Sequence, residues 1–305
     1  MIIDAHLDTA LWLREHQSLC SLADIHCDFE RLHKYVDIAF FAIFIHPQRY
    51  AACQIGEMMN ILAKLSEDIK NHEHLVKMLL YKEQLLTKGN KILVGAEGGG
   101  FLAGDKALLS LFYTLGLRFL GLTWNYDNHL SAACGQNGGL TALGKQVVRQ
   151  CNDLGILLDA AHISSRGFWE LLAESQSPII VSHAACSACH EHIRNLDDKQ
   201  LTALGKNHGV IGITFVKDFL SDKEAGIEEI VRHIIHAVEV AGIDAVGIGS
   251  DFDGADPAGL RGVEDLPLLW SALAEAGFNG DEIDKIRGGN FYRVLQEVLA
   301  EKENF

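Results

Sequence analysis

A (β/α)8 TIM-type barrel with additional C-terminal helices is the fold class that the sequence predicts, and three observations predict it. Eight short runs rich in Ile, Val, Leu, Gly and Ala recur along the chain and alternate with longer amphipathic stretches. Most runs are continuous in apolar character, as expected of parallel strands buried on both faces. No glycine-rich phosphate turn follows the first run, where an open doubly wound sheet would usually carry one. Strands separated by helices with no such turn favour the closed barrel.

The elements follow in order. Strands are expected over 2–5, 37–44, 92–96 and 119–123, then over 156–160, 179–182, 210–215 and 245–250. Amphipathic segments over 55–70, 140–154, 198–207 and 227–240 read as barrel helices. After the eighth strand, 266–276 and 281–300 read as closing helices. Only four prolines occur and no Ser/Gly/Pro-rich linker interrupts the pattern, so one domain over 1–305 is expected.

Composition narrows the function classes. Hydrophobic residues make up 48% and charged residues 22%, ordinary values for a globular protein with a sizeable core. The formal net charge of −15 argues against nucleic acid or anionic membrane as a partner, since both reward a basic surface. No run of about 18 apolar residues is present and no secretory or lipidation signal is seen, so a cytoplasmic location is expected. The seven cysteines are odd in number and scattered, which fits free thiols in a reducing compartment.

The chemistry lies where the strands end. The active site of a barrel of this kind is built at the C-terminal ends of its strands. The first run ends in Asp4-Ala5-His6-Leu7-Asp8, and strand alternation places His6 and Asp8 on one face. The third ends in Glu97, the fifth in Asp159-Ala160-Ala161-His162 and the sixth in Ser182-His183. The eighth runs into Ser250-Asp251-Phe252-Asp253-Gly254. Three histidines, an aspartate and a glutamate can hold two divalent ions with a shared carboxylate and water, and the mixed nitrogen and oxygen set suits zinc.

Taken in order, Asp4-Ala5-His6-Leu7-Asp8, Gly95-Ala96-Glu97-Gly98-Gly99, Asp159-Ala160-Ala161-His162-Ile163-Ser164, Ser182-His183, Arg194-Asn195 and Asp251-Phe252-Asp253-Gly254 resemble the renal (membrane) dipeptidases, the M19 peptidases of the amidohydrolase superfamily. The resemblance implies a dizinc hydrolase of small dipeptides, the configuration of the C-terminal residue being open between L and D. It implies that His6 and Asp8 bind the first zinc, that Glu97 bridges, and that His162 and His183 bind the second. It makes Asp251 the catalytic acid/base and gives Arg194 the substrate's terminal carboxylate, which a planar guanidinium can grip by two parallel charge-assisted bonds. A homodimer is also a family expectation.

The chain departs from that pattern after the fourth strand. Trp124 stands where well-developed dipeptidases carry an oxyanion-stabilising histidine, and Asn128 or His129 of the same loop is expected to substitute in substrate binding. Losing one oxyanion donor can cost about a hundredfold in rate. Phe219 lies where some relatives use a tyrosine near the substrate carboxylate.

Other patterns compete. Cys186-Ser187-Ala188-Cys189-His190 fits the C-x-x-C-H of haem attachment, but without an export signal or small helical domain it reads as a connecting loop. His233 and His236, spaced as one helix face, have no further ligand. Another barrel hydrolase of lactones, phosphoesters or other small amides is the alternative activity, although such relatives usually open with HxH. A degenerate, non-catalytic descendant is the third reading, opposed by the retention of all five ligands and Asp251.

Overall fold

A computed structural model of the chain describes residues 1–302. Among the described residues there are nine strands, all parallel to their neighbours. They are β1 (Ile3–Leu7), β2 (Ile38–Phe44), β3 (Val76–Met78), β4 (Asn90–Glu97), β5 (Leu117–Gly121), β6 (Leu157–Asp159), β7 (Ile180–Ala184), β8 (Val210–Ile213) and β9 (Val246–Ile248). The order β2-β1-β9-β8-β7-β6-β5-β4 is closed into a ring by pairing of β2 with β4, in register from Ile38↔Lys91 to Phe44↔Glu97. Helices cover the outside between successive strands, so the expected (β/α)8 barrel is the fold.

The ninth strand, β3, was not among the eight expected runs. It is three residues long, exposes Lys77, and pairs only with Asn90–Ile92 at the start of β4, below the stretch that β5 occupies. Such a fragment has too little apolar length to register as a strand.

The expected barrel helices form within one or two residues of their expected ends: Gln54–Asn71, Ala142–Leu154, Asp198–Lys206 and Ile227–Ala241. Two start at side-chain caps, Thr141 accepting from Gly144 N and Asp197 from Gln200 N, which satisfies an otherwise orphaned donor in each first turn. The helix expected over 281–300 is broken instead into Gly280–Asp284, a wide turn at Lys285–Gly289, and Asn290–Val298. At the break the Gly288 backbone packs against the start of β1. A Cβ there would come within 2.9 Å of both Met1 O and Ile3 N, so a tertiary contact divides what local periodicity joins.

The last helix has a structural task. Its Phe291, Val294 and Leu295 complete an apolar cluster with Ile3, Phe40, Leu93, Phe119, Leu157, Ile180 and Val210, one residue from each of seven strands. That cluster fills the N-terminal end of the barrel and leaves the opposite rim to polar groups. No helix among the described residues is long and apolar enough to cross a membrane.

Candidate metal centre

Two strands reach the rim through a shift in register. The pairing of β1 with β2 slips between Asp4 and Leu7, around His6, and that of β7 with β8 slips between Val181 and Ala184, around Ser182 and His183. Irregularities of this kind re-aim side chains and recur beside active sites. His162 and Asp251, just beyond β6 and β9, take left-handed backbone angles, φ 62° and 63°. A non-glycine residue held there costs about 1–3 kcal/mol and persists only where its surroundings dictate it. Here Asp159 accepts from Ala161 N and Ser182 N, and Asp251 N donates to His6 O at 3.0 Å.

The side chains converge on Glu97. Its Oε1 lies 2.6 Å from His162 Nε2, 3.3 Å from His183 Nε2 and 3.6 Å from His6 Nε2. Ligand atoms of His6, Asp8 and Glu97 form one compact group and those of Glu97, His162 and His183 another, each within 4.8 Å, with Glu97 common to both. All five residues are buried. Asp251 Oδ1 stands 4.0 Å from His6 Nε2, on the same rim. Gly254 backs the two aspartates so closely that a Cβ there would collide with Asp8 Oδ2 and Asp251 Oδ1.

Partners behind the imidazoles set their tautomers. Asn125 Oδ1 accepts from His162 Nδ1 at 2.7 Å. Ser182 Oγ lies 3.1 Å from His6 Nδ1 and 2.9 Å from His183 Nδ1. Both contacts are satisfied together when the hydroxyl accepts from the two Nδ1–H groups. Every Nε2 is then left with a lone pair aimed at the cluster, the arrangement a metal requires.

Electrostatics points the same way. Burial holds the His6 imidazole at about 3, and burial also lowers His162 and His183 well below the ordinary value, with Arg194 adding to each shift. All three are therefore neutral near pH 7, as ligands must be. Burial, then the neighbouring carboxylates, pushes Asp8 and Glu97 well up, and burial raises Asp251. A desolvated group of acids without matching cations is costly, and a divalent ion reverses that cost. His6 Nε2 and Asp8 Oδ1 are buried without any hydrogen-bond partner, so the residues present fit a metal centre.

The other expected site residues divide. Arg194 is buried beside the cluster, its Nη2 2.9 Å from His183 Nε2, its Nε without a partner, and its guanidinium 5.1 Å over the Phe219 ring. Trp124 stands at the rim, stacked on Phe44 at 4.6 Å between ring centroids and 6.3 Å from the His162 ring. Asn128 lines a small cavity together with Glu97 and Trp124. The Asn128 amide is used within its own loop, donating to Leu122 O and accepting from Leu130 N and Ser131 N. His129 is exposed, and its carbonyl accepts from Thr141 Oγ1. Ser182, Asn125 and Asp159, which orient the histidines, went unread as such; only the adjacency of Ser182 to His183 hinted at one of them.

Comparison with known proteins gives a consistent picture. Dipeptidase tcpJ of Claviceps purpurea is 34% identical over 216 residues, which are 68% of this chain and 50% of that protein. The chain thus spans about half the length of that relative. Among solved structures, the M19 metallopeptidase dipeptidase AC superposes with a TM-score of 0.91 at 26% identity, covering 98% of both chains. A metallopeptidase from Rhodobacter sphaeroides, solved with a phosphinate mimic of the dipeptide L-Ala-D-Ala, gives 0.88 at 26% identity, covering 97% of this chain and 99% of that one. The family model for membrane dipeptidases matches residues 1–305, and the chain therefore belongs to that family, peptidase family M19.

Proposed function

We propose that this protein is a metal-dependent dipeptidase that holds two zinc ions and cleaves unblocked dipeptides. The observation that carries the reading is the position of Glu97, the one carboxylate shared by both ligand groups. His6 and Asp8 complete one site with it, and His162 and His183 complete the other. When bound, two such ions would polarise the scissile carbonyl and ionise the attacking water near neutral pH.

The remaining work falls to the chain. Asp251, beside the cluster and with a carboxyl raised by burial, takes the proton of the attacking water and returns it to the leaving amine. Arg194 binds the substrate's terminal carboxylate through its Nη groups and its unpartnered Nε. Trp124 walls the rim, and its indole offers one neutral donor where a cationic imidazole would serve better, so we expect rates below those of efficient dipeptidases. The dipeptide mimic bound by the Rhodobacter relative makes a D-residue at the C-terminal side a natural member of the substrate panel.

The experiment is metal analysis of protein purified without chelators, paired with hydrolysis of L,L- and L,D-dipeptides. Two zinc ions per chain and cleavage of free dipeptides support the reading. Trace metal with no cleavage overturns it.

A further inference from the structure

Cys186 and Cys189 take no part in the centre described above, yet they stand at the root of the loop that carries Arg194. Cys186 bridges to Leu196 in parallel, and Ser187 N donates to Leu196 O at 2.8 Å. Asn195 ties the loop from inside, accepting from Ala185 N and donating to His190 O. At its start, Cys189 N donates to Cys186 O at 3.1 Å, which makes Cys186–Cys189 a four-residue turn. Such a turn brings its end Cα atoms within about 7 Å. A disulfide spans about 4.4–6.8 Å between Cα atoms, so the backbone already suits one. Both thiols face the same helix, Cys186 Sγ lying 3.4 Å from His233 O and Cys189 Sγ 3.9 Å from Arg232 O.

We propose that Cys186 and Cys189 form a reversible dithiol–disulfide site that acts on the loop presenting Arg194. The oxidant is a low-molecular-weight disulfide. The Cys189 thiolate attacks one of its sulfurs, the S–S bond breaks, and one thiol leaves. Cys186 then loses its proton to solvent and attacks the Cys189 sulfur, expelling the second thiol. Two protein thiols are oxidised by two electrons, and one external disulfide is reduced to two thiols.

The order of attack follows from the surroundings. Cys186 is fully buried, whereas Cys189 is partly accessible. The neighbouring Cys186 thiol, then the charges of His236 and Arg232, lower the Cys189 thiol to about 7 against its partial burial. The neighbouring Cys189 thiol and burial push the Cys186 thiol up. Cys189 is therefore the attacking group and Cys186 the resolving one.

The link to Arg194 runs through the helix Ile227–Ala241. Cys186 N donates to His233 Nδ1 at 3.0 Å, and Arg232 Nη1 donates to Cys189 O at 2.8 Å, so both ends of the turn are gripped by that helix. Joining the sulfurs removes Cys186 Sγ from His233 O and alters the root from which Arg194 projects. The effect on catalysis, unlike the disulfide itself, rests on the proposed role of Arg194.

The test incubates the whole protein with glutathione disulfide at neutral pH, alkylates the remaining thiols and maps the peptides by mass. The expected product has lost two hydrogens across Cys186 and Cys189, carries no glutathione there, and is reversed by dithiothreitol. Cys189→Ser should leave Cys186 unreacted, and Cys186→Ser should retain glutathione on Cys189. Glutathione retained on Cys189 of the unaltered protein, or two free thiols there after the exposed Cys53 has reacted, overturns the site whether or not the variants fold. In the oxidised protein KM for free dipeptides should rise at least about threefold with kcat held. An unchanged KM removes the link to Arg194. A reduced enzyme that cleaves no dipeptide counts against the dipeptidase reading, and the mass map still decides the disulfide.

Discussion

Ser182 Oγ lies 3.1 Å from Nδ1 of His6, a residue 176 positions earlier in the chain, and 2.9 Å from Nδ1 of its own neighbour His183. One hydroxyl thus orients a ligand of each proposed ion. Ser182→Ala should weaken metal binding about 10- to 100-fold while leaving the fold intact, the usual effect of losing a group that orients a ligand. Competition with a chelating dye measures this. Unchanged affinity would mean that packing alone orients the two rings.

Asp251→Asn should retain most of the metal while kcat falls by roughly two to four orders of magnitude, the range for loss of a general acid/base. Metal content and turnover are measured on one sample. Parallel loss of both would reassign Asp251 as a ligand.

Arg194→Met should bring free and C-terminally amidated dipeptides to similar low rates. In the unaltered protein amidation removes the charge that pairs with the guanidinium, a loss of about 2–5 kcal/mol for a broken buried pair. The ratio of kcat/KM for the two substrates reads this directly. Equal cleavage by the unaltered protein would refute the assignment.

Metal affinity should rise with pH, and the carboxyls should set the dependence. A raised pKa means that Asp8, Glu97 and Asp251 keep protons at a pH where free carboxylates have lost them, so an ion must displace those protons. The three histidines, with lowered values, are already neutral and release none near pH 7. Calorimetry of zinc binding in buffers of different ionisation enthalpy should show net proton release, reduced in Glu97→Gln. Affinity that stays flat from about pH 6 to about pH 8 would contradict this.

Gly254→Ala should cost the site more than the fold. The added methyl meets Asp8 Oδ2 and Asp251 Oδ1, while the glycine's own backbone angle is not a left-handed one. Thermal unfolding of the metal-free protein should change little while zinc affinity and turnover drop together. Normal zinc binding would show that the carboxylates can give way.

Much of this architecture is legible in the sequence because its signals are local. Parallel strands buried on both faces write themselves as apolar runs, and candidate ligands at strand ends stay next to those runs, as His6 and Asp8 do. What escapes is set by contacts across the fold. The break at Gly288 depends on Met1 and Ile3, and β3 is too short to carry a pattern of its own. The pairing of Asn125 with His162 depends on rotamers that bring together residues 37 positions apart. Loop hydrogen bonds, invisible in composition, fix the Asn128 amide beside the cavity that Glu97 and Trp124 also line.

The ring closure also has a consequence for biosynthesis. Glu97 sits at the last register position of the β2–β4 seam, opposite Phe44, while β1, which carries His6, takes its other neighbour from β9, near the end of the chain. A ribosome-bound chain that has not yet exposed Val246–Ile248 has one flank of β1 unpaired and lacks Asp251 altogether. The proposed metal centre is therefore expected to be completed only once β9 has emerged to pair with β1. Premature termination upstream of residue 246 should yield a product that captures zinc poorly, even though all five proposed ligands have been translated.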